Sequence, residues 1–302
     1  MKVRIGYGLG TRSLTNDAGR FNAFVDALEG CGFDSLWLSE RITGDCPDPL
    51  IGLAVAAGRT KKLKLGTSVQ VLPGRNPVLL AKEWASLDRL SNGRTLPAFG
   101  LGVADPREQQ AFGVARGDRA KWFDEALPLI RRLWTEESVD HDGERFHFEA
   151  VSVRPKPIQQ PPDVWLGGLA PSELRRIGRL ADGWLPSFCT PTDVERSRPV
   201  VEEAAAGANR SFDEEHWGAL VAYCNGPIPD VVTAALAARR PDLEDPTAVI
   251  AAGIDGLRTQ LERFVGAGVS KFVVVPLAEP DDWDAELAHV ADVLLPLQRA
   301  AA

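Results

Sequence analysis

Two carboxylates and a guanidinium are the side chains in this chain best placed for acid–base chemistry. Glu40 and Arg41 follow one strand-like segment, and Asp105 follows another. A pair of carboxylates, here Glu40 and Asp105, can donate and accept protons during a reaction. The alternative is that Glu40 pairs with its neighbour Arg41 and that Asp105 only caps a loop. The sequence leaves both interpretations open.

Histidine and cysteine give no sign of a metal site or a thiol nucleophile. The four histidines lie in separate segments without the spacing of metal ligands. The four cysteines contain no C-x-x-C pair, which is typical of reduced thiols in a cytoplasmic protein. No Gly-x-Ser-x-Gly or phosphate-loop sequence is present either.

Glycine recurs where strands are predicted to end, most clearly at Gly167-Gly168. Pro171 suits the first position of a following helix, so free N–H groups would face the glycines, and a phosphate would fit there with Ser172 as a donor. The alternative is a tight turn in which Ser172 and Glu173 only cap the helix. Strand ends rich in glycine and poor in nucleophiles favour a bound cofactor that carries the reactivity.

Eight strand-like segments must position these residues, and helical patterns lie between them. Apolar residues recur at helical spacing over residues 21–28, 254–265 and 283–294. The alternation predicts βαβ units that close into a (β/α)8 barrel, a TIM barrel. An open doubly wound sheet is the alternative, but no Gly-x-Gly-x-x-Gly follows the first strand. The predicted strands are 2–9, 35–39, 63–72, 95–103, 163–168, 183–188, 217–223 and 271–277.

Two segments interrupt the alternation and are predicted to be loop insertions. Residues 139–153 alternate polar and apolar around Asp142-Gly143, which indicates a hairpin. Residues 154–162 are too rich in proline for a helix. Residues 226–256 contain an additional Ala-rich helix and acidic turns. No linker separates domains, so we expect one domain over residues 1–302.

The charge and the hydropathy of the chain limit the classes of molecule that it could bind. A net charge of −8 and a pI near 5.2 argue against a nucleic-acid surface. No apolar run reaches the roughly 18 residues of a membrane span, and the strand-like start shows no signal peptide. We expect a cytoplasmic protein that acts on a small molecule.

A family resemblance is carried by eight short motifs in a fixed order. With them the chain resembles the luciferase-like monooxygenase family, in particular its deazaflavin branch, the F420-dependent oxidoreductases. The motifs cover roughly residues 2–190, and the match is thinner in the last helices. They are FDSLW (33–37), GTSV (66–69), PGRNP (73–77), LDRLSNGR (87–94), GLG (100–102), PKP (155–157), WLGG (165–168) and DGW (182–184).

The resemblance implies a (β/α)8 barrel, usually a homodimer, with coenzyme F420 or FMN in the barrel mouth. It implies a non-proline cis peptide at Ser68-Val69, whose bulge presses on one face of the ring system. Gly102 and Val103 would contact the ring, and Gly167, Gly168 and Leu169 the phosphate-bearing tail. The complete set of predicted cofactor contacts is Tyr7, Glu40, Ser68, Val69, Gly102, Val103, Gly167, Gly168, Leu169 and Ser172.

Two departures from the family pattern bear on function. Related sugar-phosphate dehydrogenases carry Asp-His after the second strand and Glu after the fourth, where this chain has Glu40-Arg41 and Asp105. The histidine base is missing, so sugar phosphate is not assigned as the substrate. Many relatives carry serines after the paired glycines, where Leu169-Ala170 stand here. That removes hydroxyl donors for a phosphate.

Three functional hypotheses follow. The first is an F420-dependent oxidoreductase that exchanges hydride with an organic substrate, which Arg41 or Asp105 holds or protonates. The second is an FMN-dependent monooxygenase on the same barrel. The third is a cofactor-binding barrel without catalysis, motivated by the missing histidine and hydroxyls.

Overall fold

The computed structural model describes residues 1–11 and 17–300. Strands and helices alternate along these residues, as the sequence predicts. The strands are β1 Arg4–Gly8, β2 Ser35–Leu38, β3 Lys64–Thr67, β4 Gln70–Val71, β5 Thr95–Leu96, β6 Ala98–Gly100, β7 Val139–Asp142, β8 His147–Val151, β9 Trp165–Leu166, β10 Gly183–Trp184, β11 Gly218–Cys224, β12 Ile250–Ala252 and β13 Lys271–Pro276.

The helices follow the strands and cover them on the outside. Among the described residues, no helix combines the length and the hydropathy that crossing a membrane requires. The helices are α1 Ala18–Cys31, α2 Pro49–Arg59, α3 Pro77–Leu90, α4 Pro106–Phe112, α5 Arg119–Thr135, α6 Pro171–Leu180, α7 Pro191–Gly207, α8 Asp230–Arg239, α9 Gly253–Gly266 and α10 Trp283–Ala300.

The parallel strands form a closed ring. One sheet runs β11-β13-β1-β2-β3-β5, and a second runs β4-β6-β9-β10. β3 leads into β4 and β5 into β6 within single chain segments, which joins the sheets on one side. Parallel bridges pair Trp184 with Trp217 and Ser187 with Leu220, which joins them on the other. The predicted (β/α)8 barrel is confirmed.

Two predicted strands are each divided into two. The predicted strand 63–72 is interrupted at Ser68-Val69, between β3 and β4. The predicted strand 95–103 ends at Gly100 and is interrupted at Pro97, between β5 and β6. Proline has no N–H to donate to a neighbouring strand, so ladder pairing stops there. These interruptions let each segment turn from one sheet into the other.

Two apolar layers hold the barrel. The larger one lies between the strands and the surrounding helices. A smaller cluster fills the barrel interior and includes Trp37, Trp165 and Val273. Gly66 makes room for this cluster, because a Cβ there would lie 2.5 Å from Trp37 Cε3. Filling the interior with side chains leaves the strand ends as the place for a ligand.

Local signals in the sequence set the boundaries of α3. Asn76 is its N-cap and accepts a hydrogen bond from the Val78 N–H at 2.9 Å, and Pro77 occupies the first turn. This arrangement satisfies N–H groups that have no partner within the helix. The chain then turns at Gly93, whose φ of 75° lies in the left-handed region that favours glycine.

The predicted loop insertions agree in part with the structure. β7 and β8 form the predicted antiparallel hairpin, and residues 154–162 contain no helix. The extra helix in 226–256 is α8, followed by the 3-10 turn Pro246–Val249. Two elements were not predicted: β12, which pairs with the end of β11, and the short helix α4.

Candidate active site at the carboxyl ends of the strands

Glu40 follows β2 and is tied to the segment that follows β3. Its side chain is 3% exposed and forms an ion pair with Arg75. The second carboxylate oxygen accepts the Val71 N–H at 2.6 Å. Burial raises the pKa of Glu40, and the charge of Arg75 opposes this in part. The ion-pair partner of Glu40 is therefore Arg75, and the alternative pairing with Arg41 is wrong. Arg75 is distant in the sequence, and only the fold brings it beside the end of β2.

Ser68-Val69 is a non-proline cis peptide, as the resemblance implies. The Ser39 hydroxyl donates to the Ser68 carbonyl at 2.8 Å, which anchors this peptide to the end of β2. The Val69 side chain is half-buried above the interior cluster. It also lies over β6, because a Cβ on Gly100 would be 2.5 Å from Val69 Cγ2. Val69 thus presents an apolar surface at the barrel mouth.

The loop after β6 is held by hydrogen bonds from the buried side chain of Arg119. Arg119 is 2% exposed, and its Nη1 donates to the carbonyls of Leu101 at 3.0 Å and Val103 at 3.1 Å. Its Nη2 is buried without a hydrogen-bond partner in the described part of the chain. Gly102 takes a φ of 81°, and a Cβ there would lie 2.9 Å from Arg119 Nη1. Val103 is 44% exposed above this support.

Sequence reasoning missed Arg119. An arginine in the first turn of a helix usually reaches solvent, and here no local pattern marks it as buried. Its position beneath the Gly102–Val103 loop is decided by how α5 packs against β6. The loop predicted to contact a cofactor is therefore supported by a positive charge.

Arg41 and Asp105 meet at the rim of the mouth, with Arg41 Nη2 3.4 Å from Asp105 Oδ2. Asp105 is also the N-cap of α4 and accepts from the Arg107 backbone at 2.9 Å and the Arg107 side chain at 2.8 Å. These hydrogen bonds, with the charges of Arg107 and Arg41, lower the pKa of Asp105 to about 2. The carboxylate therefore stays ionised at neutral pH. Asp105 therefore caps a helix and contacts Arg41, whereas the alternative expected it only to cap a loop.

Glu108 is a second residue that the sequence did not reveal. It is 2% exposed and accepts from the Thr43 N–H at 2.9 Å and the Ile42 N–H at 3.2 Å. These bonds fasten the segment that follows Arg41 to helix α4. The sequence did not predict α4, so it gave no reason to expect contacts between Glu108 and the segment after Arg41.

The glycine loop after β9 leads into α6, and the two N–H groups that directly precede the helix are already occupied. Glu173 Oε2 accepts from the Leu169 N–H at 3.1 Å and the Ala170 N–H at 3.0 Å. The Trp184 indole N–H donates to the Gly168 carbonyl at 3.0 Å and holds the loop from the next strand. Ser172 is exposed. The interpretation of Glu173 as a helix cap is confirmed.

Two clefts flank Phe188, a residue with a positive φ of 54° that follows β10. The apolar cleft measures about 180 Å³ and lies against the ends of β1 and β13, where Leu9, Val275 and Trp283 line it. The polar cleft measures about 420 Å³, and its lining residues are Gly168, Leu169, Ala170, Glu173, Ser187, Asp193, Arg239, Arg240 and Asp242.

Tyr7 lines neither cleft, although its ring packs against Trp283 of the apolar cleft. Its side chain is fully buried between β1 and the helices, and its hydroxyl is 2.6 Å from that of Tyr223. Burial raises its pKa. Alternate residues of a strand face opposite sides, and Gly6 faces the interior, where a Cβ would lie 2.8 Å from Trp37 Nε1. We therefore leave Tyr7 out of the proposed cofactor contacts.

These features define a (β/α)8-barrel protein with a candidate site at the barrel mouth, where glycine loops, an ion pair and two clefts converge. The sequence matches the luciferase-like monooxygenase family over residues 2–253. The chain belongs to this family.

Similar sequences include an uncharacterized protein and an F420-dependent enzyme. An uncharacterized protein of Mycobacterium tuberculosis is 34% identical over 186 residues, 61% of this chain and 63% of that protein, so the match spans less than two thirds of the relative. An F420-dependent glucose-6-phosphate dehydrogenase of Kineococcus radiotolerans is 28% identical over 243 residues, 72% of this chain and 71% of the relative.

A solved structure shares the fold along almost the whole chain. It is an F420-dependent secondary alcohol dehydrogenase in complex with an F420–acetone adduct, with a TM-score of 0.81 and 21% identity. The superposition covers 99% of this chain and 100% of the other. At this identity the likeness shows a common fold.

Proposed function

We propose that this protein is an F420-dependent oxidoreductase that exchanges hydride between the deazaflavin and a small organic substrate. Family membership and the name of the Kineococcus relative support the cofactor. The observation that carries the proposal is the composition of the barrel mouth. An apolar surface at Val69 and Val103 lies on one side, and the polar cleft, which is lined by two arginines and three carboxylates, lies on the other.

The apolar surface fits the flat ring of an elongated cofactor. β4, β6, β9 and β10 are neighbours in one sheet. Val69 directly precedes β4, and Gly102, Gly168 and Ser187 lie in the segments that follow β6, β9 and β10. Such a row offers apolar contact at one end and polar donors at the other. When bound, the deazaflavin supplies hydride exchange.

The residues of the chain position the reactants. Val69 and Val103 would support the ring, while Arg119 holds the Val103 loop and Glu40 holds the turn after β4 through Arg75. We assign Glu40 a positioning role because both its oxygens are already bonded. Rigid supports of this kind keep reacting atoms in near-attack geometry, which accounts for much of the rate in such reactions.

The substrate would occupy the apolar cleft beside Leu9 and Trp283. Arg41 lies at the rim, with its side chain 36% exposed, and is available to bind a carbonyl or hydroxyl oxygen. Asp105 orients Arg41 through their ion pair. Because hydrogen bonds keep Asp105 ionised, we propose that it acts as a counter-ion and does not donate a proton.

The test is a titration of the purified protein with F420 and with FMN, followed by anaerobic mixing with reduced F420 and a panel of aldehydes, ketones and enones. We expect F420 to bind and at least one acceptor to be reduced. Preferential FMN binding with oxygen consumption would support the monooxygenase hypothesis instead. F420 binding without turnover on the panel would support the non-catalytic barrel. Binding of neither cofactor would refute all three.

The homodimer, the single domain over 1–302 and the cytoplasmic location stay predictions. Sedimentation equilibrium of the purified chain measures the first directly.

A further inference from the structure

We propose that Phe188 sets the size of the substrate, and that the apolar cleft beside it accepts a small uncharged carbonyl compound with the volume of about one ring. The proposal rests on the proposed function, because it concerns the molecule that would exchange hydride there. It adds two properties that the proposed function leaves open, namely the size and the charge of the substrate.

The lining of the apolar cleft disfavours an anionic ligand. Most of its side chains are apolar, among them Leu9, Val275 and Trp283. The described residues that line it include no arginine, lysine or histidine. The carboxylate of the lining, Glu279, forms an ion pair with Arg20 at 2.6 Å. An anion would lose hydration in this cleft without gaining a cationic partner from the lining, which is costly. A neutral carbonyl compound has no such cost.

The volume of the apolar cleft limits the size of its ligand. The cleft measures about 180 Å³. An apolar cavity of about 150 Å³ in another protein holds one benzene molecule. A compound with two fused rings exceeds this space unless a lining residue moves. The cleft therefore fits a single ring or a short chain of similar volume.

Phe188 separates the apolar cleft from the polar cleft. Phe188 lines the apolar cleft, and the preceding Ser187 lines the polar cleft. The Phe188 side chain also packs against the small apolar cluster of the insertion, which includes Leu236 of α8. The exposed guanidinium of Arg239 lies over the ring, 4.8 Å from its centroid. The ring is therefore packed between the barrel mouth and the insertion.

A buried side chain holds the backbone of Phe188. The φ of 54° lies in the left-handed region, which a bulky residue adopts only at an energetic cost. Arg240 Nη1 donates to the Phe188 carbonyl at 2.7 Å. Arg240 is itself 5% exposed and forms ion pairs with Asp193 at 2.9 Å and Asp242 at 2.8 Å. Strained backbone of this kind persists where surrounding contacts enforce it, and such positions cluster at ligand sites. Phe188 is thus a fixed wall of the apolar cleft.

The experiment measures the binding of three probes in the absence of coenzyme, by ligand-detected NMR titration. The probes are cyclohexanone, the larger fused-ring ketone 2-decalone, and cyclohexanecarboxylate, which carries a negative charge on the smaller ring. The proteins are the wild type, Phe188→Ala, Phe188→Leu and Phe188→Trp. With reduced F420, the ratio of kcat/KM for the two ketones is measured as well.

Phe148→Ala is the matched control. Phe148 is also a partly buried phenylalanine, but it lies on the hairpin strand β8, where its ring stacks on Phe146. Circular dichroism melting checks that each variant is folded.

We expect the wild type to bind cyclohexanone at least about tenfold more tightly than 2-decalone, because a packed pocket discriminates against additional methylene groups. Phe188→Ala should reduce this preference to about threefold or less, with Phe188→Leu in between. Phe188→Trp should weaken cyclohexanone binding about tenfold, because its larger ring fills part of the cleft. Cyclohexanecarboxylate should bind the wild type at least about tenfold more weakly than cyclohexanone does. Phe148→Ala should change none of these affinities.

The proposal is overturned if Phe188→Ala keeps the wild-type preference for the smaller ketone, or if the wild type binds the carboxylate as tightly as cyclohexanone. It is also overturned if the wild type binds neither ketone. Should Phe188→Ala fail to fold, an unchanged preference in Phe188→Leu and Phe188→Trp overturns it in the same way. Failure to bind F420, with the ketone preferences as expected, refutes the proposed function and not the size limit set by Phe188, so the two failures are distinguishable.

Discussion

A buried cation near each end of the barrel shows a different pattern of charge pairing. At the amino end, Lys271 is 3% exposed and forms an ion pair with Asp34, which also lies 3.8 Å from Lys64. At the carboxyl end, Arg119 is 2% exposed and has no carboxylate partner among the described residues. A buried charge normally has a partner in the folded chain. The charge of Lys271 is thus neutralised within the chain, whereas no described carboxylate neutralises the charge of Arg119.

Arg94 and Arg119 also differ in how completely their guanidinium groups are hydrogen-bonded. Arg94, at the amino end, donates five hydrogen bonds to carbonyl and hydroxyl oxygens of Ala57, Thr60, Leu63 and Ser91. Arg119 also binds carbonyls, but its Nη2 is left without a partner in the described chain. Arg94 therefore serves packing alone. Arg119 supports a loop at the site.

The largest effect is expected at the amino end. Asp34→Asn would leave the buried Lys271 ammonium without its counter-ion, which costs about 3 kcal/mol of the free energy of unfolding. Urea denaturation measures this loss. F420 affinity of the folded variant should be unchanged, and a loss of affinity without a loss of stability would contradict the division between the two ends.

The second prediction compares Arg119→Gln with Arg94→Gln. Each leaves buried carbonyls without donors, and we expect each to lower the free energy of unfolding by about 2 kcal/mol. Only Arg119→Gln should also weaken F420 binding, because only Arg119 holds the loop of Gly102 and Val103. Equal F420 affinity in the two variants would show that Arg119 has no role at the site.

A third, smaller effect concerns Tyr7. Tyr7→Phe removes the hydroxyl that bonds to Tyr223 and should cost about 1 kcal/mol of stability in thermal or urea unfolding. F420 affinity should stay the same, since the ring lies between β1 and the helices. A clear loss of affinity would return Tyr7 to the cofactor contacts.

The smallest effect is the pH dependence contributed by Asp105. Its pKa in the folded state is about 2, below the usual 3.8. The carboxylate therefore contributes stability above pH 3.8 that is lost as the pH falls toward 2. The stability difference between the wild type and Asp105→Asn should be constant from pH 8 to about 4 and shrink below that. A difference that instead changed between pH 5 and 8 would indicate a raised pKa and a proton-donating role.

The sequence predicts the barrel well because its signals are local. Asn76, Pro77 and Gly93 set where α3 begins and the chain turns, and each acts through its own backbone. The elements that were missed are short. β12 has three residues and α4 has seven, which is too little for a clear periodic pattern.

The candidate site is predicted less completely. The resemblance identified Ser68-Val69, and the structure confirms the cis peptide. Tyr7 was included because it stands at a strand end, but the sequence does not tell which of two alternating positions faces the interior. Pairing of Glu40 with Arg41 was one of two alternatives because the two residues are adjacent, whereas the fold brings Arg75 to Glu40.

The sequence by itself determined the order of strands and helices, most turns and the family of this protein. Only the tertiary structure decided which charges are neutralised: Glu40 by Arg75, Arg240 by Asp193, and Arg119 by no described carboxylate. The physical reason is the separation along the sequence over which each interaction acts. Helix periodicity and turn preferences act within a few residues, whereas an ion pair depends on which strand ends the closed barrel places side by side.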